Sequence, residues 1–221
     1  MFKDSSRLFT NIAIMIATPV LILLLNSLFI AMNTDTFGNQ MIVSFNLMII
    51  LLVALNTSSY AASVYSRDGR SAYLIKVQPK NPTPLLIAKL IPTTVFNIIS
   101  FIITFVILLS TTRIAFIDCV YIILGVTFIY LAHLMYSAGL EIINPHTEIY
   151  AALGEYENDP NEIKSTAYAF AASFIATGAV LLLLITNDKA LYLKLFLVGL
   201  AIFLIATRRF LSNIKLYYKD N

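Results

Sequence analysis

The sequence predicts an all-α, polytopic membrane protein with six transmembrane helices and both termini in the cytoplasm. Three observations predict it. First, the 221 residues are 59% hydrophobic and only 12% charged, about half the charged share of roughly 25% in soluble domains. Second, the apolar residues gather into six long runs, separated by polar or basic segments. Third, Lys and Arg fall unevenly between those segments, which gives the runs an orientation.

The first run covers residues 12–32, behind a polar start holding Lys3, Asp4 and Arg7. About twenty apolar residues at 1.5 Å each cross a hydrocarbon core of about 30 Å. A secretory signal has the same basic start, but this run is longer than an h-region and no small-x-small cleavage site follows it. It reads as an uncleaved span, kinked at Pro19. A short turn with Asp35 and Gly38 leads to the second run, residues 41–64, whose last turns are polar: Asn56, Thr57, Ser58, Ser59 and Tyr60. Polar groups at that depth face protein or a cavity, so they either hydrogen-bond between helices or line a path.

The third run, residues 85–109, contains Lys89 and Pro92; Lys89 is close enough to the helix start to snorkel to the surface. The fourth, 114–140, contains Asp118 and His133. The fifth, 165–186, places Ala169, Ser173 and Thr177 four residues apart, a small-xxx-small face suited to close helix packing. The sixth, 191–207, ends at Arg208 and Arg209. Two long polar segments remain, residues 65–84 and 141–164.

With the N-terminus inside, twelve of the 15 Lys and Arg residues lie in cytoplasmic segments; only Arg113, Lys189 and Lys194 lie outside. Acids contribute little to orientation, so the acid-rich 141–164 segment does not reverse it. Both long segments are therefore expected in the cytoplasm, and the chain in a cell membrane as a multi-pass protein. The whole chain reads as one transmembrane domain.

Several function classes find no support. The net charge of +3 is small and scattered, and no basic stripe with interleaved aromatics offers a nucleic-acid surface. Cys119 is the lone cysteine, and no Cys/His spacing suggests a metal site. No His-Glu-x-x-His, Gly-x-Ser-x-Gly or Gly-x-x-x-x-Gly-Lys-[Ser/Thr] occurs. Asp118 and His133 are separated by about 22 Å along one helix and cannot meet there. His133 is expected to be a packed, neutral histidine with one hydrogen-bond partner, with proton coupling as the alternative. If ATP drives this protein, another subunit must bind it. No cofactor is expected in this chain.

The remaining information is in residues 65–89. Ser66-Arg67-Asp68-Gly69 is followed by Arg70, Leu74, Pro79 and, where the chain re-enters the membrane, Lys89. This order, with six spans and both ends inside, resembles the type-2, exporter-like permease subunits of ATP-binding-cassette (ABC) transporters. That family carries an Arg/Glu–Glu–Gly core, then Leu, Pro and Lys; Asp68 here replaces the usual Glu and keeps its charge. Asn144-Pro145, with Glu162 and Lys164 at the end of the second segment, looks like the C-terminal half of larger bacterial ABC permeases.

The resemblance implies a non-catalytic permease subunit, paired with itself or with a second permease. Its two cytoplasmic segments would dock on separate ATPase subunits that bind ATP and Mg. Arg67, Asp68, Gly69, Arg70, Leu74, Pro79 and Lys89 would form the docking loop. Residues 71–77 suit a short surface helix entered at Gly69 and ended by Pro79. Arg67 and Arg70 equally suit anionic lipid headgroups. Two other functions stay open: a membrane scaffold or assembly factor acting through the same segments, and an intramembrane enzyme.

Overall fold

Long apolar stretches with few glycines or prolines leave the backbone one way to satisfy its polar groups in lipid, the α-helix. The computed structural model describes residues 5–31, 36–72, 82–154, 156 and 158–218. Among them are seven α-helices: α1 (Ser5–Ala31), α2 (Thr36–Ser58), α3 (Thr83–Thr111), α4 (Phe116–Ile143), α5 (Thr147–Leu153), α6 (Pro160–Ile185) and α7 (Leu191–Tyr218). Two 3-10 turns, Ser59–Ala62 and Ser66–Ala72, follow α2, and the described residues contain no strand.

Among the described residues five stretches are long and apolar enough to cross a membrane: Gln40–Gly69, Thr83–Thr111, Phe116–Ile143, Pro160–Ile185 and Leu191–Leu216. They make this an all-helical, multi-pass membrane protein. α1 adds a shorter apolar part, Ile16–Ala31, within its 27 residues. Helices α1 and α3 continue past Pro19 and Pro92.

The residues divide as lipid requires. Large apolar side chains such as Leu28, Ile102, Val106, Ile175, Leu182 and Ile205 point outward, while Asn26, Asn46, Asn97, Ser137 and Ser173 are buried. Hydrocarbon gives no reward for hiding leucine, so close packing and interhelical hydrogen bonds hold the bundle together. Asn26 Nδ2 donates to Thr111 Oγ1 at 2.7 Å and Asn46 Nδ2 to Asn26 Oδ1 at 2.8 Å, which joins α1, α2 and α3. The polar end of α2 is used the same way: Thr57 Oγ1 meets Asn97 Oδ1 at 3.2 Å.

Helix α4 is central, touching α2, α3, α6 and α7, and its largest contact is with α7. There Gly125 and Gly199 let the backbones approach, with Phe128 between Phe196 and Phe203 at 5.9 and 5.5 Å. α6 packs mainly on α2; Ala169 and Ser173 are fully buried and Thr177 is half-buried.

Several boundaries differ from those expected. The second span stops being α-helical at Ser58, because the chain tightens into the Ser59–Ala62 turn. The last helix does not end at Arg208 and Arg209 but continues to Tyr218. Arginine ends an apolar run without ending a helix, since its helix propensity is high. The 141–164 segment is largely helical: α4 reaches Ile143, α5 lies within it, and α6 starts at Pro160.

Candidate functional site

At the end of α2 the chain folds back on itself rather than leaving the bundle. Ser63, Val64, Tyr65 and Ser66 are all buried, and Ser66–Ala72 forms a tight turn packed on α5. Gly69 makes the turn possible with φ +54°, a conformation strained for any residue bearing a Cβ. A Cβ at Gly69 would also lie 3.3 Å from the Ala151 Cα of α5. The described parts of the two long polar segments thus pack into one surface unit of the bundle.

Charges hold this unit together from within. Arg67 pairs with Glu162 of α6 and donates through Nε to Ser63 Oγ at 2.6 Å, and Ser63 in turn donates to Glu162. The Arg67 guanidinium lies 4.5 Å from the centre of the Tyr60 ring, a cation–π contact. Asp68 pairs with Lys89 of α3, and Lys89 lies 5.8 Å from the Tyr65 ring centre. Tyr65 Oη donates to the Leu86 carbonyl at 3.2 Å. Lys89 thus meets a carboxylate of its own chain.

A second set of bonds closes the other side. Glu141, fully buried at the end of α4, accepts the Ser66 N–H through Oε1 at 2.8 Å; Ser66 Oγ accepts the His146 N–H at 2.8 Å. Asp159 caps α6 by accepting the Asn161 N–H at 2.8 Å, ahead of Pro160 at the first helical position. Its other oxygen accepts from Tyr150 Oη at 3.1 Å, and His146 Nδ1 lies 3.2 Å from Oδ1. Burial, then the nearby Glu162 and Asp159 carboxylates, push the Tyr150 hydroxyl well above the ordinary tyrosine range. It stays protonated and keeps donating. Asn161 Nδ2 donates to the Asn144 carbonyl at 2.8 Å, bridging α4 and α6.

The expected site residues are thus divided. Arg67, Asp68, Gly69, Lys89, Asn144 and Glu162 come together in this unit. Pro145 and Lys164 are exposed on it. Arg70 is described in its backbone alone, and Leu74, Pro79 and most of the surface helix expected over 71–77 lie outside the described residues. Glu141, His146, Tyr150 and Asp159 complete the unit and were not singled out as site residues. Asp159-Pro160 carries the signal of a capped helix start, which finds α6 five residues earlier than its apolar run does.

Directly beneath lies His133. Its Nε2 is 3.1 Å from the Ser165 carbonyl, which can only accept, so this nitrogen carries a proton. Nδ1 is 2.6 Å from Ser58 Oγ, and Ser137 Oγ is 2.6 Å from Ser165 Oγ. Ser137 Oγ also lies 3.5 Å from Nδ1, so the single partner expected of His133 becomes three. Ser58, at 0% exposure, offers a reacting carbonyl no access, so this cluster is packing rather than a nucleophile with its base. No group of three or more His, Cys, Asp or Glu side chains among the described residues is placed to hold a metal ion.

No family model, no curated protein and no solved structure matches this chain.

Proposed function

We propose that this chain is the transmembrane permease subunit of an ATP-driven ABC-type transporter, an exporter, coupled to separate ATPase subunits at its surface unit. In this reading α1 is a sixth span, both termini and the surface unit are cytoplasmic, and the chain pairs with itself or with a second permease. One observation carries the reading: the surface unit is bonded to four long helices at once. Ser66–Ala72 continues from α2, Lys89 ties it to α3, Glu141 to α4 and Glu162 to α6. A displacement of this unit by a partner is delivered to all four helices together, as switching between inward- and outward-open packings requires.

Because Arg67 and Asp68 are paired within the chain, the docking contact falls to the outward side of the unit. There α5 presents Leu153, 72% exposed, beside exposed Glu148 and Ala152. In this reading that large apolar side chain, left exposed on the outer helix of the unit, is the interface anchor.

The test is purification in mild detergent with a candidate ATPase coexpressed. A subunit that hydrolyses ATP is expected to copurify, and Leu153→Asp is expected to release it without lowering the melting temperature. Copurification of non-hydrolysing proteins alone, lost with the same substitution, would instead make the chain a scaffold.

A further inference from the structure

α6 packs on α2 and α7 packs on α4, so these two helices touch each other little although a short turn, residues 186–190, joins them. They diverge toward the surface unit and leave a groove of about 320 Å³ with α4 as its floor. Small residues make the space: Ala132 and Gly139 on α4, Ala172 on α6, Ala206 on α7. Along α7 the groove runs from Ile202 to Asn213, about 16 Å. That is close to half of a hydrocarbon core of about 30 Å, the depth of one leaflet.

Its polar groups lie toward one end. Tyr136 and Tyr168 meet edge to face with ring centres 5.1 Å apart, and Arg209 lines the same groove. Asn213 lies one turn further along. Arg209 stands about 27 Å along α7 from Leu191, at headgroup level for a helix that starts at the opposite interface. No carboxylate among the described residues pairs with it.

We propose that this groove binds one anionic phospholipid from the leaflet on the side of the surface unit. One acyl chain fills the apolar part, and the phosphate lies against Arg209 within reach of Asn213 and the tyrosine hydroxyls. A guanidinium at headgroup depth without its own acid attracts anionic lipid. A partner helix fits less well, since it is about 10 Å across and needs the full bilayer depth. The inference does not depend on an ATPase partner.

Native mass spectrometry of the detergent-purified protein, titrated with phosphatidylglycerol or phosphatidylcholine, tests it. The first phosphatidylglycerol is expected to bind about fivefold more tightly than phosphatidylcholine. Arg209→Gln is expected to erase that preference, while Arg208→Gln, exposed but outside the groove, preserves it. Ala172→Phe should reduce binding of both lipids. Should that variant fail to fold, Ile205→Trp, on a lip already 70% exposed, performs the same blocking test. Equal losses for Arg208→Gln and Arg209→Gln would mean diffuse surface charge and overturn the site. Unchanged lipid binding in a folded groove-filling variant would also overturn it. So would a dimer that dissociates on filling the groove, because the occupant would then be a second copy of the chain.

Discussion

Gly125 and Gly199 face each other across the α4–α7 crossing so closely that a Cβ on Gly199 would lie 2.7 Å from the Gly125 carbonyl oxygen. Backbone, not a movable side chain, occupies that space, so the helices themselves must part to admit a methyl group. Small residues at such crossings let TM helices gain dispersion contacts along their whole length.

Gly199→Ala is therefore expected to destabilise the fold by about 1–3 kcal/mol, the usual cost of overpacking. Gly178→Ala on α6 is the control, because a Cβ there meets nothing within 4 Å. It should be neutral or stabilising by up to about 1 kcal/mol through helix propensity. Thermal melts in detergent compare the two. Equal melting temperatures would show that the crossing relaxes freely.

A similar pair separates strain from contact in the surface unit. Gly69 and Gly154 both have positive φ, at +54° and +78°, but only Gly69 has a neighbour where its Cβ would be. Gly154→Ala is expected to cost about 1–2 kcal/mol from backbone strain alone. Gly69→Ala should cost more, because it also presses on Ala151, and should loosen α5. Hydrogen exchange of α5 amides checks this: faster exchange in Gly69→Ala than in Gly154→Ala is expected.

The amino-acid sequence made the long helices legible because apolar length is a signal every residue contributes to. It made Ser66–Gly69 conspicuous because a charged, glycine-containing stretch stands out between apolar runs. It did not reveal that Arg67 finds Glu162, 95 positions away, or that Asp68 finds Lys89. A charge shows its sign in sequence but not its partner, so internal pairing and external docking look alike. Gly125 and Gly199 were passed over in favour of Ala169, Ser173 and Thr177, which repeat at a regular spacing. A lone glycine inside an apolar helix carries a weaker signal, although its propensity cost already asks for a packing reason. The α6–α7 groove had no signature, because its two walls lie thirty or more positions apart in the chain.

Helix α6 fixes which polar segments share a membrane face. Its 26 residues extend about 39 Å from the Asp159 cap to the turn after Thr186. Asn158 and Asn187 therefore lie on opposite sides whichever way the protein inserts. Asn187→Cys should react with an impermeant maleimide in intact cells, and Asn158→Cys only after permeabilisation, given the proposed orientation. Cys119 is buried and gives little background. The reverse pattern would invert the orientation; labelling of both from outside would remove α6 as a span.

The Arg67–Glu162 pair gives the sharpest test of how the surface unit is built. The side chains are 16% and 27% exposed, so the pair is neither a solvated surface bridge nor a sealed one. Exposed bridges are worth about 0–1 kcal/mol, whereas breaking a buried one costs about 3–5 kcal/mol. Arg67→Ala, which strands Glu162 beside Ser63, is expected to fall between, at about 1–3 kcal/mol. Glu162→Gln should cost less, because glutamine keeps the volume and still accepts from Ser63 and Arg67. Arg67→Glu places two carboxylates together and should be the most damaging single change. Adding Glu162→Arg to it restores opposite charges, and a coupling of about 1 kcal/mol or more in the four-variant cycle is expected. Recovery will be partial, because a guanidinium moved to position 162 no longer lies over Tyr60. If instead Arg67→Glu leaves the melting temperature unchanged and only weakens association with an ATPase, Arg67 acts outward, and the internally braced unit proposed to couple four helices loses its main brace.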